Sequence, residues 1–359
     1  YKNLFDLLLI LPLSIPSYIM AFTYADLLGY NGLFDIFLQN FFDTKLKLDV
    51  LTIEWLSIFL ALSLYPYIYA TTRISFNLIG QTYIDLAKSL GLKKIKTFFK
   101  IILPLSTPAI FSGTLLVIME ILNEYGAVNY FGIKTFSVGI FKYWFSMDDK
   151  SSAIIFAFSL LIIIMILVGI SRFFKKNDNK LKYHFKDKPL IFKQLEKDNN
   201  KKLAYAILCL PIIFGLIIPF SFIAKNVKNN FAKYDWQELL NVFTNSFYIA
   251  LVTAIIITAI SFFILSVKRY QKNKIVKVVT HILSIGYAIP GAVIGLSIML
   301  ILQYISPNLN FLMGSITLLV YAYTFRFMAV AIFPIESSFK QQPRKFDDLG
   351  KSLNLSTLK

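Results

Sequence analysis

Long apolar runs separated by short polar loops set the pattern of this chain. The runs cover residues 4–25, 51–76, 106–122, 154–170, 203–223, 245–267, 276–303 and 311–334. A stretch of roughly twenty apolar residues is what an α-helix needs to cross a bilayer. The pattern therefore predicts an all-α integral membrane bundle with about eight spans. Several runs carry helix breakers: Pro12 and Pro16 in the first, Pro66 in the second, and GYAIPGAVIG at residues 286–295 in the seventh. Such interruptions predict kinks or unwound turns whose freed carbonyls are met inside a bundle.

One basic segment between the runs has a different pattern. In residues 83–108, YIDLAKSLGLKKIKTFFKIILPLSTP, the positions Ile84, Leu86, Ala87 and Leu90 form one apolar side at helical spacing, opposite Asp85, Lys88 and Ser89. Gly91 is placed to end that helix as a C-cap. A second helical stretch follows through Lys93, Lys94 and Lys96, and Pro104 marks the turn into the next apolar run. A short amphipathic helix of this kind either presses into a groove on another protein or lies at the lipid headgroups. The segment recurs: DLAKSLGL at 85–92 is answered by DLGKSLNL at 348–355, with six of eight positions identical. At the same offset Ser75 and Phe76 map onto Ser338 and Phe339. Ile15 and Pro16 match Ile289 and Pro290 when about eleven residues near 43–51 are counted as an insertion in the first half. Repetition on this scale predicts two similar halves, residues 1–174 and 203–359, joined by a basic linker at 175–202. The second copy has Gly350 and Asn354 where the first has Ala87 and Gly91, beside the shared Asp348, and no Leu-Pro follows it. A start at Tyr1 without Met and a stop at Lys359 fit a piece of a longer protein.

Composition agrees with a membrane chain: 57% of residues are hydrophobic and only 16% charged. A net charge of +17 could point to nucleic acid, but the lysines lie in short loops between spans, where basic charge sets orientation. With the spans alternating, the two copies of the recurring basic segment, the linker and KRYQKNKIVK share one side and hold about 26 of the 37 basic residues, against about eight in the opposite loops. That side is cytoplasmic. The single cysteine, Cys209, sits in an apolar run, which leaves no disulfide framework and no metal cluster.

Candidate chemistry is sparse. MEILNEYGAVNYFG at 119–132 crowds Glu120, Asn123, Glu124, Tyr125, Asn129 and Tyr130 at the end of a span. Ionisable groups at membrane depth face a bundle interior or a watery cavity; equally, these residues could reach the outer headgroups with the tyrosines as an aromatic belt. Oxygen-rich side chains suit a hard cation, but a path must release its cargo, which favours a polar vestibule over a tight metal site. Pro290, Gly291 and the intramembrane Arg326 complete the path candidates; Arg326 fits either transport or pairing with a carboxylate that holds the bundle together. His281 reads as a buried or interfacial hydrogen bonder and His184 as solvated. There is no phosphate-binding loop: Gly350, Lys351 and Ser352 imitate the tail of G-x4-G-K-[ST], but Lys345 stands at its first glycine. No catalytic constellation is evident, since Glu120, Glu124 and Arg326 share no enzyme motif. A secondary transporter with repeated halves would also explain the symmetry.

Asp85, Ala87, Gly91, Ile101, Leu103 and Pro104 fall on the template [ED]-x-A-x3-G-x9-I-x-L-P. In this the segment resembles the "EAA" coupling loop of the membrane subunits of binding-protein-dependent ABC importers. In that family the loop is cytosolic and its short helix docks in a cleft of the ATPase subunit. Over nearly its whole length the chain resembles the fused, two-repeat permeases of ferric-iron transporters, through LPLSIPSYIMAF at 11–22, LNEYGAVNYFG at 122–132, GIFKYWF at 139–145 and GYAIPGAVIG. The resemblance implies the type I ABC importer permease fold, with six spans per half, in a bacterial inner membrane. It also implies a cytosolic ATPase dimer carrying ATP and Mg, an extracytoplasmic substrate-binding protein, and no cofactor on this chain. Related fused permeases handle thiamine and other small solutes.

Overall fold

The computed structural model describes residues 2–43, 48–78, 81–178, 201–270, 274–305 and 311–341. Among them every regular element is helical. Six helices are long and apolar enough to cross a membrane, and one bent pair adds a seventh candidate. The chain divides into two compact units, Tyr1–Lys233 and Tyr234–Lys359.

In the first unit α1 (Lys2–Ile10) passes into a 3-10 turn, Leu11–Ser14, and stops at Ile15–Pro16. Proline has no N–H with which to continue a helix. Pro16 takes an extended conformation and starts α2 (Ser17–Leu28) in a new direction. The two arms, Leu4–Ser14 and Ser17–Phe42, meet at 87°. The first apolar run is therefore a bent pair, not one straight span. The second arm ends in α3 (Leu33–Phe42). Next, α4 (Ile53–Leu78) runs straight through Pro66, which corrects the expectation of a break there. The ring is buried, and the carbonyl it frees on Leu62 is approached by backbone at Gly215, where a Cβ would stand 3.1 Å from that oxygen.

The coupling-type segment forms α5 (Gln81–Ser89) and α6 (Lys94–Thr97), and a π turn, Phe98–Ile102, joins α6 to α7 (Leu103–Asn123). Pro104 is not a corner. It occupies the first turn of α7 directly after the wide turn, where its missing N–H costs nothing, so residues 95–123 form one 29-residue span. Two short helices, α8 (Gly126–Tyr130) and α9 (Phe136–Phe141), lead to α10 (Lys150–Asp178), which extends the expected fourth span into the start of the linker. The Ser152 hydroxyl and backbone N–H hold the carboxyl of Asp149, at the start of α10, below the usual carboxylate range. Helices α4 and α7 cross at Gly113, where a Cβ would lie 2.7 Å from the Ile68 Cα. The core gathers Met20, Tyr24, Phe59, Leu60, Val128 and Phe131. Helices α11 (Lys201–Ile212) and α12 (Ile218–Asn230), joined by a π turn, pack within this unit. Tyr24 donates its hydroxyl to the Phe214 carbonyl, and the Phe5 and Tyr205 rings lie 5.6 Å apart.

The second unit contains α13 (Trp236–Tyr270), α14 (Lys274–Ile285), a 3-10 turn at Gly286–Ala288, α15 (Gly291–Ile305) and α16 (Ile316–Gln341). Gly286 and Pro290 divide the expected seventh span into α14 and α15, neither of them long enough to count as a span alone. His281 lies on α14. The repeat is visible in the backbone. Helices α4 and α16 both have 26 residues, and the offset relating Asp85 to Asp348 also carries Ile53 to Ile316 and Leu78 to Gln341. Helix, 3-10 turn, Ile-Pro and helix recur in the same order at Ile15–Pro16 and Ile289–Pro290. The surplus in the first half falls on α3, just before the 43–51 stretch, and α3 has no counterpart among the described residues of the second. Asp348, Gly350, Asn354 and His184 lie outside the described residues, as does most of the linker.

Candidate functional site

Residues 81–93 build a short helix closed by hydrogen bonds that satisfy its last carbonyls. The Leu92 N–H donates to Ala87 O at 3.0 Å and the Gly91 N–H to Lys88 O at 2.9 Å, with Gly91 left-handed at φ 68°. This is the Schellman arrangement that glycine permits. Ala87 is fully buried, while Tyr83, Leu86 and Leu90, at helical spacing, form an exposed apolar stripe. Asp85 pairs with Lys88 at 3.5 Å on the solvated side. Leu103 and Pro104 lie beyond the π turn, at the start of the α7 span. Helix α5 thus presents a rigid apolar ridge between two membrane helices.

At the other end of α7 the polar cluster splits into parts with different work. The Glu124 carboxylate accepts from the Ser17 hydroxyl and, at 2.9 Å, from the Ala127 N–H in the first turn of α8. Its own carbonyl accepts from the Ser137 hydroxyl at 2.7 Å. Glu124 therefore pins the α8–α9 segment to the start of α2, beside the Pro16 break. The approach is close, since a Cβ on Gly126 would come within 3.1 Å of Tyr18. Gly132, at φ 69°, closes α8 with the same hydrogen-bond pattern that Gly91 uses on α5. Glu120, half-buried, receives the Tyr67 hydroxyl at 3.5 Å. Asn123 donates to Met119 O at 2.8 Å, and its buried Oδ1 has no partner among the described residues. The Tyr125 ring packs on Phe141 at 4.3 Å. The structure brings Glu120, Asn123, Glu124 and Tyr125 together at one helix end.

Pro290, Gly291 and Arg326 meet in the second unit. The guanidinium lies over the start of α15, so that a Cβ on Gly291 would fall 1.9 Å from Nη1. It also faces the Phe327 ring at 5.5 Å. Its Nε is buried without a hydrogen-bond partner, and no carboxylate pairs with it among the described residues. The repeat explains the placement. Arg326 occupies the position of Ser63, whose hydroxyl donates to Ile15 O at 3.3 Å, and Gly291 that of Ser17.

Sequence reasoning missed Ser17, Ser63 and Tyr67 as partners, and it missed an ion pair. Arg73 and the Tyr69 hydroxyl, the latter at 2.6 Å, both bond to Asp6 and so tie α4 to α1. A charge inside each of two apolar runs was the available signal. At the matching place of the second repeat, Glu336 pairs with Lys268 at 3.1 Å and ties α16 to α13. Among the described residues no three His, Cys, Asp or Glu side chains converge as metal ligands.

Comparison with known proteins adds identity to this geometry. Residues 1–177 match the family described as binding-protein-dependent transport system inner membrane component. The Fe(3+)-transport system permease protein FbpB 2 of Haemophilus influenzae is 24% identical over 98% of this chain and 66% of its own length. The sulfate transport system permease proteins CysT of Salmonella typhimurium and Escherichia coli are 32% and 31% identical over 35% of this chain and 44% of their own. The chain thus spans at most about two thirds of these relatives. No solved structure matches it. This polytopic helical chain with broken spans is thus similar, over residues 1–177, to the family of binding-protein-dependent transport system inner membrane components.

Proposed function

We propose that the chain is the membrane permease of an ABC importer for ferric iron, coupling ATP hydrolysis on a separate cytosolic ATPase dimer to alternating access of its path. The observation that carries the reading is α5. A Schellman-closed helix with Tyr83, Leu86 and Leu90 exposed, on the side rich in basic loops, is shaped to seat in a groove of a cytosolic partner. Asp85, Ala87, Gly91, Leu103 and Pro104 would form the first coupling element, and Asp348, Gly350 and Asn354 the second. Residues 1–174 and 203–359 act as two halves joined by the 175–202 linker. An extracytoplasmic binding protein delivers the cargo, and Glu120, Asn123, Glu124, Tyr125, Pro290, Gly291 and Arg326 belong to the path. ATP and Mg stay on the ATPase.

Ferric iron is favoured by the likeness that spans nearly the whole chain. The sulfate relatives favour an oxyanion through a shorter segment at higher identity. ATP-dependent uptake of radioactive ferric iron, sulfate and thiamine, measured in vesicles holding the chain with its ATPase and binding protein, decides among them. Iron uptake that disappears without the ATPase is expected; sulfate or thiamine uptake would retain the machine and discard the iron. Gly91→Glu loads a left-handed position with a β-carbon and a charge. It should leave membrane insertion unchanged while uptake falls and ATP hydrolysis no longer responds to binding protein. Unchanged uptake in that variant would refute docking through α5.

A further inference from the structure

We propose that α3 is an amphipathic helix lying in the outer leaflet of the bilayer, with lipid acyl chains covering Leu33, Phe34, Phe37, Phe41 and Phe42. The inference concerns a different place from the coupling and path sites and stands whatever the cargo is. Helix α3 has no counterpart among the described residues of the second repeat.

Its polarity runs opposite to that of a helix on a water-soluble surface. By helical periodicity Leu33, Phe34, Phe37, Leu38, Phe41 and Phe42 fill one half of the surface, while the other holds the buried Asp35 and the exposed Ile36, Gln39 and Asn40. The charged residue is turned inward: Asp35 is 4% exposed, and its carboxylate receives the Asn31 N–H at 3.3 Å. The aromatic half is turned outward, with Phe37 49% and Phe41 72% exposed and their rings 4.6 Å apart. A helix that buries its aspartate and exposes its phenylalanines fits a medium less polar than water.

Three further observations favour lipid over a protein partner. The arm that contains α3 is bent 87° from the arm that contains α1. The whole arm of residues 17–42, α2 with α3, turns away from α1 in this way, so a membrane normal along α1 would set α3 near the membrane plane, the attitude of an interfacial helix. Residues 26–43 contain no lysine or arginine, and the outward half carries no charge, so it complements uncharged acyl chains. Exposed apolar side chains are found again at Leu51, Ile53 and Ile58, leading onto α4, which is long and apolar enough to span a membrane. The loops on this side are poor in basic residues, which places α3 in the extracytoplasmic leaflet.

The test uses the transporter with its ATPase in vesicles of phosphatidylethanolamine and phosphatidylglycerol. On a Cys209→Ser background, spin labels are placed one at a time at Phe37→Cys, Phe41→Cys, Gln39→Cys and Asn40→Cys. Power saturation then compares access to oxygen, which concentrates in acyl chains, with access to a water-soluble nickel chelate. Labels at 37 and 41 should favour oxygen several-fold, and labels at 39 and 40 should reverse that preference. As a second measurement, Phe41→Trp should lose fluorescence to brominated acyl chains. High nickel access at 37 and 41 would overturn the proposal. If that access is lost only on adding the binding protein, α3 is a protein-docking surface instead.

Discussion

Replacing Glu124 by alanine removes the carboxylate that hydrogen-bonds α8 to the start of α2, beside the apolar packing of Phe22 on Tyr130. The Ala127 N–H and the Ser17 hydroxyl both lose their acceptor. Hydrogen bonds to a charged group contribute about 1.5–3 kcal/mol each, so the pair sets an upper bound of about 6 kcal/mol. The Ser17 hydroxyl can rotate to another acceptor, whereas the Ala127 N–H is fixed by the helix. A loss of about 3 kcal/mol is therefore the working figure. At about 1.4 kcal/mol per tenfold, it raises the opening equilibrium of this segment about a hundredfold. Hydrogen–deuterium exchange followed by mass spectrometry reads that opening directly in peptides covering residues 126–133. Glu124→Ala should accelerate their exchange by about two orders of magnitude and leave α10 and α13 unchanged. Glu124→Gln, which keeps one acceptor oxygen, should give an intermediate rate. Exchange equal to that of the parent chain, or faster exchange spread over every helix, would refute the role of Glu124 as a local pin.

Two further outcomes follow from packing and charge. Gly113→Leu puts a side chain where Thr71 Oγ1 would be 2.4 Å and Ile68 Cα 2.7 Å from Cβ. Overpacking on that scale costs about 1–3 kcal/mol and should lower the thermal unfolding midpoint in detergent micelles. Gly169→Ala, with nothing within 4 Å of its Cβ, should leave the midpoint in place, and equal midpoints for the two variants would count against the crossing. The Asp6–Arg73 pair is partly exposed, at 24% and 40% of its side chains, so water screens it and a coupling of about 1 kcal/mol is expected. A double-mutant cycle with Asp6→Asn and Arg73→Gln measures that coupling; a value of zero would make the pair incidental.

The spans and the repeat were legible because membrane crossing and duplication both write regular signals: length and apolarity for one, a recurring octamer for the other. Gly91 was legible for a similar local reason, since a helix that ends in a left-handed residue favours glycine. The breaks were legible only in part. Pro16 and Pro290 end helices, yet Pro66 and Pro104 sit in similar apolar surroundings and do not. What separates them is the neighbourhood: Pro66 frees a carbonyl beside the close-packed Gly215 backbone, and Pro104 follows a π turn. Those neighbours come from elements far along the chain or from the winding of the helix, neither of which the local pattern states. The division of labour between Glu120 and Glu124 was hidden for the same reason, because the partner that distinguishes them, Ser17, is 107 residues away.

The two repeats also show that duplication preserves backbone more faithfully than chemistry. At the proline break, a Ser63 hydroxyl in the first half is answered by the Arg326 guanidinium in the second, and Ser17 by Gly291. At the other end of the same helices Arg73 is answered by Glu336, and each has found a partner of opposite sign on a different neighbour, α1 in one case and α13 in the other. A charge within an apolar run is costly unless paired or placed at a wet surface, and at the Arg73 and Glu336 positions new partners compensate it. Asp6 and Lys268 are those partners. Arg326 has no equivalent carboxylate among the described residues and lies instead over the start of α15 and beside the Phe327 ring. The breaks thus differ in chemistry on backbones of like shape: a carboxylate lies at the start of α2 and a guanidinium at the start of α15.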